Sequence, residues 1–515
     1  MKKTYYLTTP LYYVNAKPHI GHAYTTVAAD ALARFKRLMG YDVFFLTGTD
    51  EHGQKVEQAA LAANKTPQEF TDELSNEFRQ LWLELNISYD DFIRTTEERH
   101  KKAVCETWKR LQANGQIEVQ KYKGWYDATS ESFMSYREMK EAKEAGGHQH
   151  IEENMEEIEE ENFFFKLSAH QKWLMEYIDA NPDCIQPKSR RNETASFLEK
   201  NDLNDLCISR PKERLQWGIE TPLSDKHVTY VWFDALVNYI SACGFPDDEA
   251  KFKKYWPADV HLIGKDILRP HTVYWPIMLH GMGIEPPKKI FAHGWWMVDE
   301  LKMSKSLGNV VRPKDVVDVY GVDPFRFFML REVPFGQDGT YSDEAMTKRY
   351  NVDLANDLGN LTHRTLSMIE KYFDGVIIAN GAKDANNLIR DKAMGLPQRL
   401  EKLLDQMQFS QALAEIWSLI SEANRFIEHS APWTLKKESK TDELRIVMVS
   451  CCEALRLIAQ AVWPFIPHSA DNLWGQLGLP KDDLVNKSFA EVEWNYFTKD
   501  TPVKKGQPIF PRLEL

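Results

Sequence analysis

The first fifty residues restrict the fold more than any other part of the chain. Tyr5-Tyr6-Leu7-Thr8 has the length and make-up of a short strand, and a loop with Pro10 and Pro18 follows. Ala28, Ala31, Leu32, Phe35 and Leu38 then recur at helical spacing. Gly40 ends that helix, as a residue tolerant of left-handed geometry often does. Val43-Phe44-Phe45-Leu46 is a continuous apolar run of strand length. Strand, turn, helix and second buried strand make a βαβ unit, and hence a parallel sheet.

The rest of the 515 residues is read against that sheet, and a chain this long holds about two to four domains. Residues from about 115 to 225 are polar, with Gly146-Gly147 and a glutamate block from Glu152 to Glu161, which reads as an insertion. Strand-like runs return at Val260-His261-Leu262-Ile263 and Ile290-Phe291-Ala292, so the sheet is expected to be split in sequence and completed after the insertion. From Asp343 the character is helical. Leu396, Leu400, Leu403 and Met407 form one apolar stripe, Leu413, Ile416, Trp417, Ile420, Ala423 and Ile427 another, and Leu455, Ile458 and Val462 a third. These spacings predict a bundle with its own core. The expected division is 1–114 and 226–342 for the two halves of the α/β domain, 115–225 for the insertion, 343–480 for the bundle and 481–515 for an extension packing back on the core.

A formal charge of −12 argues, at face value, against a nucleic-acid partner. Its distribution weakens that argument: residues 138–161 hold ten glutamates against two lysines, which leaves the remainder close to balance. Local basic strings such as Lys188-Ser189-Arg190-Arg191 and Lys436-Lys437 then stay available to a polyanion. Six scattered cysteines suggest a reducing compartment. The start of the chain lacks the pattern of a signal or transit peptide, so a cytoplasmic protein is expected. No apolar stretch is long enough to span a membrane.

Two strings carry chemistry. Pro18-His19-Ile20-Gly21-His22 sits where the first strand turns into the first helix, the mouth at which open parallel sheets bind nucleotides. A helix N-terminus offers unpaired N–H groups and the positive end of its dipole to phosphate. Gly21 lets a nucleotide approach the backbone. His19 and His22, three apart, are expected on one helix face, each able to donate to phosphate oxygens. The second string is Lys302-Met303-Ser304-Lys305-Ser306 with Leu307-Gly308-Asn309 behind it, two lysines and small hydroxyls in a loop that can clamp phosphate.

In this order and setting the two strings resemble the HIGH and KMSKS signatures of class I aminoacyl-tRNA synthetases. The resemblance implies a Rossmann-like catalytic domain with an inserted connective subdomain, followed by an all-α anticodon-binding bundle. It also implies that His19, His22, Lys302 and Lys305 bind ATP with Mg2+ and stabilise the α-phosphate while a carboxylate attacks it. The insertion is too small for the editing domain of the members specific for branched aliphatic amino acids.

Thr47 to Gly53, with Asp50 at a strand end, and the aromatic string Tyr230-Val231-Trp232-Phe233-Asp234-Ala235 with Tyr239 suit a long apolar substrate with a sulfur, through sulfur–ring contacts. Plain core packing explains the same aromatics. These strings, together with Thr9 to Asn15 and Gly264-Lys265-Asp266-Ile267, closely resemble the methionyl-tRNA synthetase family over nearly the whole chain. The resemblance implies a methionine pocket of Leu11, Tyr13, Asp50, Trp232, Ala235, Tyr239, Ile267 and His271, with Asp50 on the amino group. It places Gly21, Gly264, Asp266 and Ser304 with ATP, Asp266 beside the ribose. Pro270 departs from the family, which has an aromatic residue before the pocket histidine.

Relatives with zinc knuckles build them from Cys-x-x-Cys pairs, and no cysteine lies between Cys105 and Cys184. Asp127, Glu131, His148 and His150 are an oxygen-rich substitute that does not suit tetrahedral zinc. A metal-free knuckle packed on Trp125, Tyr126 and Phe133 is expected. In the bundle, Asn360 and Arg364 project from one helix face, and Pro432-Trp433 marks a helix end where an indole can stack on a base. The resemblance assigns these four to the CAU anticodon of tRNA(Met). It also ends near Pro511, the end of the family's minimal core, so a monomer is expected. Two competing readings are a nucleotidyltransferase with a His-x-Gly-His motif that activates a small acid without tRNA, and a catalytically silent RNA- or protein-binding relative.

Overall fold

The computed structural model describes residues 2–127, 132–134, 155–298, 301–302, 310–379 and 388–513. Strand β1 (Thr4–Thr8) is prolonged beyond a three-residue break by the short β2 (Tyr12–Tyr13). Helix α1 (Ile20–Leu38) crosses over, and β3 (Asp42–Asp50) returns parallel to β1, with Thr4 opposite Asp42 and Thr8 opposite Leu46. Gly40 follows α1 at φ 87° and donates to the Arg37 carbonyl, while Tyr41 donates to Lys36. That is the left-handed close the sequence predicts. Strand β4 (Asp91–Arg94) adds to the far edge of β3, and helix α2 (Glu98–Ala113) leads away.

The insertion begins as an antiparallel hairpin of β5 (Ile117–Asp127) and β6 (Met155–Phe165). Its expected extent needs correction. The two-residue β7 (Ile185–Gln186) lies inside 115–225 yet joins the central sheet as its edge strand, and helix α3 (Lys188–Lys200) follows it. Helix α4 (Val231–Leu236) precedes β8 (Val260–Gly264) and β9 (Ile290–His293), which fill the place predicted for the returning strands. β8 pairs with the free side of β1, β9 with β8, and β7 with β9, all parallel. The crossover direction therefore reverses between β1 and β8, and a cleft opens at their carboxyl ends.

Helix α5 (Val322–Arg331) joins this unit to the bundle of α6 (Asn360–Phe373), α7 (Leu396–Leu404), α8 (Phe409–Ser430), α9 (Pro432–Lys437) and α10 (Thr441–Val462). The apolar stripes fall on α7, α8 and α10. Met407 lies past the end of α7 with φ 57°, so it is not part of that stripe's helix.

The bundle does not keep a core of its own, which corrects the second expectation. One continuous apolar cluster runs from Tyr5 and Leu7 through α1 and α5 into Trp417, Leu455 and Ile458. The Phe327 ring on α5 sits 4.6 Å from the Trp417 ring on α8. At the same seam Arg326, wholly buried, pairs with Asp30 of α1 at 2.7 Å and donates to the carbonyls of Leu85, Pro464 and Phe465. Five donors suit such a site, where an unpaired buried cation would be costly. The opposite face of the sheet packs Tyr6, Phe44 and Leu46 against α2, the insertion and α4. The C-terminal segment returns to the bundle: Thr501–Pro502 pairs with Val376–Ile377, and the Phe510 ring meets Tyr350.

Candidate functional site

A cavity of about 1150 Å3 occupies the cleft beyond β1 and β8. It brings together thirteen residues singled out in the sequence. His19, Gly21, His22, Gly264 and Asp266 line one part, and Leu11, Tyr13, Asp50, Trp232, Ala235, Tyr239, Ile267 and His271 another.

At the α1 end of the cavity the geometry corrects one expectation. His19 and His22 do not share a helical face. His19 is the N-cap of α1, with extended backbone at φ −127°, and its ring lies on the His22 ring with centroids 3.8 Å apart. The backbone N–H of Gly21 donates to His19 Nδ1 at 3.1 Å, and that of His19 donates to His22 Nδ1 at 3.2 Å. A Nδ1 that accepts leaves Nε2 to carry the proton. Both rings are thus set as Nε2–H donors at a helix N-terminus. Burial, with His19 next to it, holds the His22 pKa well below the ordinary value. His22 is therefore a neutral donor here, not a cation. Gly21 has a second reason to be glycine: a Cβ there would stand 2.9 Å from His19 Cε1.

Across the cavity Asp266 folds back over Gly264, where a Cβ would stand 2.5 Å from its Oδ1. The Trp295 indole donates to that same oxygen at 3.1 Å. Lys265 Nζ lies 4.0 Å from the centroid of the Trp295 ring and pairs with Asp338 at 2.6 Å. The sequence reading missed Trp295. The signal available was its position two residues past β9, level with the Gly264-Lys265-Asp266 turn past β8.

The other end is apolar and more enclosed. Tyr239 and His271 are both buried, and their polar atoms meet at 2.7 Å. His271 Nδ1 donates to the Ile267 carbonyl at 2.9 Å, so Nε2 is the acceptor and the Tyr239 hydroxyl donates to it. Burial lowers the His271 pKa to about 4. Tyr239 also stacks on His261 at 4.0 Å, and Trp232 approaches His271 edge-on at 6.2 Å. Pro270 opens a π-helical turn, Pro270–Tyr274, in the cavity wall. Asn238, buried and also in the wall, donates to the Ala235 carbonyl at 2.5 Å and was not foreseen.

Lys302 lies in a short strand, Leu301–Lys302, paired with Trp296–Val298. Ser304 and Lys305 lie outside the described residues, as do Glu131, His148 and His150 and the side chains of Asp127, Tyr126 and Phe133. Among the described residues, no three His, Cys, Asp or Glu side chains stand together as a metal site. Nor is any described helix long and apolar enough to cross a membrane.

Outside the cavity lining, Asn360 opens α6 on an exposed face, and Arg364 on the same helix pairs with Glu428 at 2.6 Å. Pro432 is buried and Trp433 is 44% exposed. Two cations of the 188–191 string are partly neutralised, Arg190 by Glu193 and Arg191 by Asp179.

Comparison with known proteins agrees with this geometry. Residues 5–366 match the family of tRNA synthetases class I (M), and residues 379–501 match the anticodon binding domain of methionyl tRNA ligase. The methionine–tRNA ligase of Caldanaerobacter subterraneus is 48% identical over all of this chain and 80% of its own length. That of Bacillus subtilis is 45% identical over 99% of this chain and 78% of its own. A Mycobacterium tuberculosis methionyl-tRNA synthetase solved with methionyl-adenylate superposes with a TM-score of 0.91 at 42% identity, covering 99% of this chain and 100% of that one. The chain belongs to the methionyl-tRNA synthetase family of class I aminoacyl-tRNA synthetases.

Proposed function

We propose that the chain joins L-methionine to tRNA(Met) in two steps, through methionyl-adenylate bound across the whole cavity. The observation that carries this reading is the meeting of both ends in one space: a helix N-terminus with two Nε2–H donors, and an aromatic pocket with a carboxylate at its strand-end rim. In the first step a methionine carboxylate oxygen attacks the α-phosphorus of ATP, and pyrophosphate leaves. His19 and His22 donate to the oxygens on which charge builds, in a site partly closed to water. Gly264 and Asp266 take the ribose, and Lys302, Ser304 and Lys305 close on the phosphates. Mg2+ enters with ATP, held by its phosphates.

Asp50 takes the methionine ammonium. Leu11, Tyr13, Trp232, Ala235, Tyr239, Ile267 and His271 surround the side chain. A neutral His271 whose Nε2 is already occupied by Tyr239 offers no charge to the thioether, so the pocket selects by shape and sulfur–ring contact. In the second step the terminal ribose hydroxyl of tRNA attacks the adenylate carbonyl, and AMP leaves. Asn360, Arg364, Pro432 and Trp433 form the anticodon-reading end. The reading keeps an α/β catalytic unit interrupted by a zinc-free connective insertion, with β7, inside the range first given to the insertion, counted to the catalytic sheet, and a cytoplasmic, monomeric enzyme.

ATP–pyrophosphate exchange with each of the twenty amino acids tests the first step. Methionine alone should support it, and a preference for another amino acid overturns the pocket. Formation of an aminoacyl ester only when tRNA is added separates this function from a tRNA-independent nucleotidyltransferase.

A further inference from the structure

Behind the amino-acid end of the cavity, three buried side chains form a chain of hydrogen bonds that the proposed chemistry does not use. His52 Nδ1 lies 2.7 Å from Asp234 Oδ2, and His100 Nε2 lies 2.6 Å from Asp234 Oδ1. His100 Nδ1 meets Ser241 Oγ at 3.1 Å. Asp234 and His100 are wholly buried, and His52 is 3% exposed. Burial disfavours the carboxylate, but the two imidazoles outweigh it and hold the Asp234 pKa below the usual value. With an N–H on each oxygen, the buried anion is satisfied and has little freedom to shift.

The three side chains come from three places. His52 stands two residues past Asp50, in the turn that ends β3. Asp234 is on α4 between Trp232 and Ala235, both in the cavity wall. His100 is on α2 and does not line the cavity. The turn after Asp50 is pinned from another side as well. The Trp217 indole donates to the Glu51 carbonyl at 2.5 Å, its ring lies 5.4 Å from His52, and Gly53 N–H donates to the Trp217 carbonyl.

We infer that His52, Asp234 and His100 are positioning residues for methionine: they lock the end of β3, and with it the Asp50 carboxylate, against the α4 wall that carries Trp232 and Ala235. The inference rests on the reading of Asp50 as the group that takes the substrate ammonium. Recognition of the ammonium and of the side chain is then joined through one buried carboxylate. Loosening it costs methionine affinity and leaves the nucleotide end as it was.

Steady-state exchange kinetics test this in the full-length enzyme. Asp234→Asn turns one acceptor into a donor facing an N–H. It should raise KM for methionine about 10- to 100-fold, the loss expected for a hydrogen bond to a buried charge, with KM for ATP within about twofold of the parent. His100→Leu should act in the same direction, and His100→Gln, which keeps a donor near the Nε2 position, should restore KM to within about threefold. This second pair carries the test if Asp234→Asn does not fold. Equal losses in kcat and in both KM values, or no rescue by His100→Gln, overturn the inference. A double-mutant cycle separates it from the reading beneath it. Asp50→Asn alone should raise KM for methionine, and if it does not, the reading of Asp50 falls. If Asp50→Asn acts but its effect simply multiplies with that of Asp234→Asn, Asp50 stands and the clamp is overturned. A combined effect smaller than the product supports both.

Discussion

In the cavity, the groups assigned to chemistry are held by other residues before any substrate arrives. The His19 and His22 rings are fixed by backbone N–H groups, Tyr239 by His271, and Asp266 by Trp295. At the outer face of the bundle, Asn360 and Trp433 lie exposed, and Arg364 pairs with the surface carboxylate of Glu428. The difference suits the role proposed for each end. Phosphoryl transfer gains from donors that need not reorganise as charge moves. Reading unpaired bases needs groups that a large polyanion can reach and stack upon.

The sharpest break in that contrast is His22→Ala. It removes one fixed donor and should lower ATP–pyrophosphate exchange about 10²- to 10³-fold, with tRNA affinity in a binding assay unchanged. A loss of tRNA binding as well would mean that the two ends are not separable.

Acid should also find the cavity before the bundle. His271 has a folded pKa near 4, below the ordinary value of 6.5. Between those values the unfolded chain binds the proton and the folded one does not, so stability falls as pH falls through that window and levels off below it. The full window is worth about 3 kcal/mol for this one group. His22, His261 and His293, also lowered by burial, act in the same direction. Denaturant midpoints measured from pH 7 to pH 4 should show the decline, and His271→Gln should flatten it.

Trp433→Ala should lose tRNA charging by about tenfold to a hundredfold, the worth of one stacked base, while exchange survives. If both activities fall together, Trp433 supports the fold and does not read RNA. The smallest effect is expected from Glu428→Gln. Releasing Arg364 and removing a negative charge should lower KM for tRNA by up to about threefold at low salt, and less at high salt, because exposed pairs are weak and screened.

The parallel sheet was legible because strands buried on both faces tend to be apolar runs, and 43–46 and, largely, 260–263 are such runs. The signature histidines were legible from residue type and order. Their geometry was not, since three-residue spacing does not tell an N-cap from a helical turn. β7 escaped because two residues carry no periodicity. The joint core escaped because an apolar stripe on α8 says that a face is buried but not against what. His100 was beyond reach: it lies 134 residues from Asp234, and no local pattern links the two. The exposure of Trp433 could be read only as a choice between a stacking ring and a half-buried one.

The seam between α5 and the bundle limits how such a chain can diverge. With Phe327 resting on Trp417, and Arg326 bonded to Asp30 and to the Pro464 and Phe465 carbonyls, the bundle is not a cassette. A chimaera joined near residue 343 with helices from a distant relative has to repack both sides of the seam at once. A graft confined to the turn bearing Trp433 crosses no such seam. If Trp433 has the role proposed for it, RNA preference is free to drift on α9, while the part of the bundle at the seam is inherited together with the catalytic half.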